Sequence, residues 1–257
     1  MVPMRRFPPL PRLIRPGSRA APPPVATVAL LVALTACSSP ASDEAGGDSP
    51  AGPVEAGVTG AGIVTVIGDS IDIRTEAGGD EVLDTLANPN ELGAERTFLV
   101  ESVDGEWLEV LLPIRPNGST GWVRKDEVTL TNTDYRVEID VTAFEFTVLE
   151  GAEEVRSGVI GTGESETPTP EGRYYFTELL QPPDPEGPYG LYAFGLSGFS
   201  ETLETFAGGP GQLAVHGTND EEALGRQVSH GCIRVANEDI TWMAENLPIG
   251  TPVEISA

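Results

Sequence analysis

The sequence predicts a mostly-β protein: a small N-terminal β-barrel followed by a second mostly-β domain with one short helix. Three observations predict it. Short alternations of apolar and polar residues recur along residues 62–160, the pattern of half-buried strands. Glycine (30) and proline (23) interrupt the chain too often for long helices. Beyond the N-terminal 36 residues, only one window, starting at Asn237, holds apolar residues at helical spacing.

The N-terminal stretch is set apart by charge. Residues 1–19 carry Arg5, Arg6, Arg12, Arg15 and Arg19 and no acid, and residues 25–36 are apolar (VATVALLVALTA). That run is too short to span a bilayer; a basic head before a short apolar core reads as a secretory signal over residues 1–36. Its end, Leu34-Thr35-Ala36-Cys37, resembles a bacterial lipobox. That resemblance implies cleavage before Cys37, acylation of its sulfur and amine, and anchoring in the membrane by acyl chains. An ordinary signal peptide with a chance cysteine is the alternative. Residues 37–61 are small, acidic and rich in proline and glycine; they lack the apolar surface to fold and read as a tether.

Charge excludes some partners. The chain has 15 basic and 40 acidic residues, a net charge of −25, and the leader takes five arginines and no acid with it. Nucleic acid, which needs a basic face, is not an expected partner. Adhesion to anionic lipid heads is disfavoured too, which leaves the acyl groups as the anchor. Once Cys37 is lipidated, Cys232 is the only remaining thiol, so no intramolecular disulfide is available.

Residues 62–130 carry the first set of strands: 63–67, 71–74, 97–102, 107–112 and 121–123, with Asp104-Gly105 as a hairpin signal between two of them. The run WLEVLLPIRPNGSTGWV is similar to the bacterial Src-homology-3-like barrel, a fold that in part binds wall polymers and in part only spaces domains. Residues 133–257 carry the second set: 135–140, 144–149, 155–160, 174–176, 212–216 and 253–255. Residues 181–211, dense in proline and glycine, read as a binding loop or lid. Asn237 is placed to cap a helix whose apolar face is Ile240, Met243, Ala244 and Leu247, stopped by Pro248 and Gly250.

The chemistry is concentrated in Gln212–Val235. It holds both histidines of the chain, His216 and His230, and one of its two cysteines, Cys232. His216 ends one strand and Cys232 starts another sixteen residues later, so neighbouring strand ends can bring them together. A thiol with a pKa near ~8.5 needs a base before it is a nucleophile. Imidazole can take that proton and later return it to a leaving amine. No acid adjoins His216 as an orienter, which leaves a backbone carbonyl, such as that of Gly217, to hold its other ring nitrogen. In the turn Ser229-His230-Gly231-Cys232, the N–H groups of Gly231 and Cys232 are candidates to meet an oxyanion, at roughly 3 kcal/mol per donor.

VHGT…SHGCIRV resembles the signature of the L,D-transpeptidase catalytic domain; TPTPEGRYYF resembles its upstream strand and NEDI…LPIGTPVEI its C-terminal end. The likeness covers residues 133–257 and implies a β-sandwich-like catalytic domain. It further implies that Cys232 is the nucleophile and His216 the proton acceptor and donor, with Ser229, His230, Gly231 and Arg234 shaping the pocket. Gly217 and, from the lid, Tyr189 and Tyr192 are the remaining substrate-contact candidates. The family acts on peptidoglycan stem peptides through a thioester and needs no cofactor or metal.

Competing readings remain. Cys232 as a buried filler, His230 as a brace of the turn, and Arg234 paired to a surface acid are each compatible with the sequence. A zinc site on His216, His230 and Cys232 would need a fourth ligand, for which Asp220 or Asp239 could serve. For the whole chain, the expected activity is a cysteine-dependent peptidoglycan L,D-transpeptidase, exported, lipid-anchored and facing the wall. The other reading is a catalytically inactive wall-binding lipoprotein.

Overall fold

The computed structural model describes residues 60–257. The signal, Cys37 and nearly all of the tether lie outside those residues. Seven strands come first: β1 (Ala61–Val66), β2 (Ser70–Arg74), β3 (Val82–Ala87), β4 (Thr97–Asp104), β5 (Trp107–Leu111), β6 (Thr120–Arg124) and β7 (Val128–Thr133). They pair in the order β3-β2-β6-β5-β4-β1-β7, antiparallel throughout. Val64, Ile73, Phe98, Leu108, Val110 and Val123 gather into a buried cluster. β3 and β7 are the two edges, and both are largely exposed. That is why neither is visible in the sequence: a strand with no buried face has no reason to alternate.

The second set is β8 (Tyr135–Asp140), β9 (Glu145–Glu150), β10 (Glu153–Val159), β11 (Thr162–Gly163), β12 (Gly172–Leu180), β13 (Ala193–Phe199), β14 (Gln212–His216), β15 (Gln227–Ser229), β16 (Ile233–Arg234) and β17 (Pro252–Ser256), with helix α1 (Asn237–Asn246) before the last. Eight of them pair in the order β10-β9-β8-β17-β12-β13-β14-β16, and β11 pairs with β15. β12 divides this sheet. Gly172–Tyr175 pair with β17, Phe176–Leu180 pair with β13, and the register slips between Phe176 and Glu178. Val137, Ile139, Phe146 and Val148 from one half share a core with Phe194, Leu196, Leu213 and Val215 from the other. α1 adds Ile240 and Met243, and Leu247 follows just beyond its end.

In the second set, β12 and β13 differ from the sequence expectation for physical reasons. Residues 181–211 are not one loop, because β13 lies inside them. β13 is buried on both faces, so it shows no alternation. Its glycines read as loop but are required by packing: a Cβ on Gly195 would collide with the Glu178 carboxylate and one on Gly198 with the Tyr174 ring. β12 is also longer than expected and serves two cores. Tyr174 and Phe176 face the second sheet's core while Tyr175 enters the first sheet's cluster, the period of two that a strand imposes. Among the described residues no helix is long and apolar enough to cross a membrane.

Candidate active site

The parallel pairing of β14 with β16 sets the site. Its register places Val215 opposite Ile233 and His216 opposite Arg234. One residue earlier, Cys232 falls beside Ala214. Side chains two apart on a strand share a face, so the Cys232 thiol, the His216 imidazole and the Arg234 side chain emerge on the same side of neighbouring strand ends. The sulfur lies against the backbone amide of Ala214.

His216 is buried, and its Nδ1 lies 2.6 Å from the carbonyl oxygen of Gly217. A carbonyl only accepts, so Nδ1–H donates and Nε2 carries the free lone pair. Burial pushes the imidazole pKa down to about 4; the Gly217 carbonyl opposes this and the Arg234 charge adds to it. Burial likewise pushes the Cys232 thiol up, against the Ala214 amide and the Arg234 charge. Both shifts favour the neutral form, imidazole for His216 and thiol for Cys232.

The turn before the sulfur is braced from both sides. Ser229 Oγ donates to the Cys232 carbonyl at 2.6 Å and accepts from the Gly231 N–H at 3.1 Å. Thr167 and Thr169 hydroxyls donate to the Ser229 and Gly231 carbonyls at 3.2 and 2.9 Å. Gly231 has φ +114°, and a Cβ there would stand 3.1 Å from Leu213. One expectation changes here. The Gly231 N–H is taken by Ser229, so it is not a free donor for an oxyanion. His230 is exposed, and the Phe206 ring stacks on it at 5.1 Å between centroids.

Tyr189 lies in the site: its ring is tilted over that of His216 at 4.9 Å, and its phenol pKa is raised by burial and then by the Cys232 thiol. The Tyr192 ring packs against the core instead, while its carbonyl accepts from the Gly217 N–H at 3.1 Å. Asn237 has a role that its cap-like position conceals. The helix cap is Ala236, with no side-chain hydrogen bond. Asn237 Oδ1 instead accepts from the Leu191 N–H at 3.2 Å, and its Nδ2 donates to the Thr218 carbonyl at 2.9 Å. Its side chain fills the space that a Cβ on Gly190 or Gly217 would need. Asn237 therefore ties the Tyr189 loop to the His216 strand end, a contact that no local sequence signal announces.

Arg234 Nε is buried without a hydrogen-bond partner among the described residues. Also among these residues, no three His, Cys, Asp or Glu side chains are grouped to hold a metal ion. Asp239 is engaged by Arg156 at 2.7 Å, and Asp220 Oδ1 accepts from the Glu222 N–H.

Residues 134–255 match the family profile of the L,D-transpeptidase catalytic domain. They belong to that family. The L,D-transpeptidase domain is 31% identical over 122 residues to the Bacillus licheniformis protein named L,D-transpeptidase YkuD, covering 48% of this chain and 66% of that one. It is 36% identical over 96 residues to the Escherichia coli L,D-transpeptidase ErfK/SrfK, covering 35% of this chain and 26% of that one. The chain thus spans just under two thirds of the first relative and about a quarter of the second. A crystal structure of a Mycobacterium tuberculosis L,D-transpeptidase aligns over 76% of this chain and 80% of its own, with 20% identity and a TM-score of 0.43.

Proposed function

We propose that the chain is a peptidoglycan L,D-transpeptidase working through a thioester on Cys232. What supports this is the parallel register that sets His216 opposite Arg234, two residues after Cys232, together with the Gly217 carbonyl on His216 Nδ1, which leaves Nε2 free. The sulfur attacks the carbonyl of the third, diamino residue of a stem peptide while His216 Nε2 takes its proton. The tetrahedral adduct collapses, the terminal D-alanine leaves as an amine carrying the proton returned by His216, and a thioester remains. The side-chain amine of a second stem attacks this thioester; the C–S bond breaks, an amide forms, and the thiol recovers a proton. Arg234, whose Nε has no partner among the described residues, is suited to a carboxylate of the donor stem.

The anchored setting is part of the same proposal: acylation at Cys37 holds the domain on the outer membrane face, at the end of the acidic tether. Radiolabelled fatty acid should enter the wild-type protein and not Cys37→Ser. The activity is tested by intact-mass spectrometry with a carbapenem, which acylates the family's cysteine. A single adduct, absent from Cys232→Ala, is expected. An unmodified wild type that still binds wall material would instead support the inactive wall-binding reading.

A further inference from the structure

Two loops of the first sheet reach toward the strands that carry the site. After β5, residues 112–119 turn toward the segment 200–211 that links β13 to β14. The Arg115 guanidinium donates to three carbonyls of this segment: Ser200, Leu203 at 3.0 Å and Pro210 at 3.0 Å. It also sits 5.0 Å above the Phe199 ring. Asn117 pairs with the Phe199 backbone in both directions, its Nδ2 donating to the carbonyl and its Oδ1 accepting from the N–H, each at 2.8 Å. A second loop adds to this. Asn90 Nδ2 donates to Glu178 Oε2 at 2.8 Å, and Glu178 Oε1 accepts from Gln212, the first residue of the His216 strand, at 3.0 Å.

The far end of the segment is held by little. Phe206 and Gly209 exchange backbone hydrogen bonds around Ala207 (φ 49°) and Gly208 (φ 87°), a tight reversal closed on itself. From that tip Phe206 lays its ring on His230, two residues from Cys232. A guanidinium fork bonded to carbonyls at both ends of a twelve-residue, glycine-rich segment removes much of its conformational freedom.

We infer that Arg115 and Asn117 are positioning residues for the reaction: they hold residues 200–211 so that Phe206 forms a wall of the donor-stem cleft beside Cys232. The first sheet is then a working part of the catalytic site and not a spacer. This rests on the transpeptidase reading for its kinetic consequence, but not for its structural one.

The experiment has two arms, both on the full chain. In the structural arm, amide hydrogen exchange is followed in wild type, Arg115→Ala and Asn117→Ala. Exchange across 200–211 should rise at least about tenfold while that of β14 holds. Unchanged exchange in both variants overturns the inference, whatever the protein's activity. In the kinetic arm, acylation of Cys232 by a tetrapeptide stem is measured against concentration. Arg115→Ala should raise the half-saturating concentration about tenfold and leave the maximal rate within about twofold, because the clamp does not touch the reacting atoms. Combining it with Phe206→Ala should add little to either single effect, since both act through one ring. Alkylation by iodoacetamide, too small to need the wall, should stay within about twofold of wild type. A fall in maximal rate alone, or independent multiplying effects of Arg115→Ala and Phe206→Ala, overturns the clamp. Wild-type protein that iodoacetamide alkylates but no stem acylates counts against the transpeptidase reading, and the exchange arm still decides the clamp.

Discussion

Two loops each rest one aromatic ring on one histidine of the stretch Gln212–Val235. Residues 181–192 place Tyr189 over the buried His216; residues 200–211 place Phe206 on the exposed His230. Their anchors differ. The first loop is tied by Asn237, inside the domain that carries the chemistry. The second is tied by Arg115 and Asn117, which belong to the preceding sheet. The difference separates two kinds of support. Asn237 is wedged between Gly190 and Gly217, so the geometry at His216 is built into the packing of the domain. Arg115 bonds to carbonyls on a segment that its own sheet does not otherwise need, so the geometry at His230 can be altered with less cost to the fold.

The sharpest way to break this distinction is to exchange the fates of the two histidines. His216→Ala removes the proton acceptor of the proposed mechanism and should slow thioester formation by roughly 10²–10⁴-fold. His230→Ala removes an exposed stacking partner worth about 1 kcal/mol, a loss of about tenfold or less. Both are read from the time course of acyl-enzyme mass. Equal losses would mean that His230 shares the proton chemistry.

Acid tests the buried member of the pair. His216 has a folded pKa of about 4 against an ordinary 6.5. Between those values the unfolded chain takes up a proton that the folded chain refuses, so stability falls as pH drops from 6.5 toward 4, by up to roughly 3 kcal/mol from this group. The carboxyls of half-buried Glu101 and buried Glu178, raised by desolvation, work in the opposite direction as pH falls. The informative quantity is therefore the difference between wild type and His216→Gln in urea midpoints across that range. The wild type should lose more, and parallel curves would refute the burial assigned to His216.

The smallest effects compare the anchors themselves. Asn237→Ala removes two hydrogen bonds and the packing between Gly190 and Gly217 and should cost about 2 kcal/mol in urea unfolding. Arg115→Ala leaves carbonyls that water can reach and should cost about 1 kcal/mol or less. A larger loss in Arg115→Ala would place the second loop, too, within the packing of the fold.

How much was legible in advance follows from where each signal lies. The position of His216 at a strand end was visible because apolar alternation runs up to it through Leu213 and Val215. The hold of Gly217 on His216 was visible because it is a neighbour in the chain. β8, β9 and β14 could be read because one face is buried. β3 and β7 could not, having no buried face, and β13 could not, having two. Asn237 was read as a helix cap because its position along the chain fits one; its real partners lie 19 and 46 residues away. The link from Arg115 to the 200–211 segment spans 85 to 95 residues and leaves no periodic trace.

The sequence by itself determined the mostly-β character and the family, because these depend on residue identity and short-range spacing. Only the tertiary structure decided that Gly231 gives its N–H to Ser229, that β12 serves two cores, and that the first sheet reaches the site through Arg115. Those outcomes depend on which surfaces meet when the chain closes. Burial and hydrogen-bond satisfaction set them across distances that local chemistry does not encode.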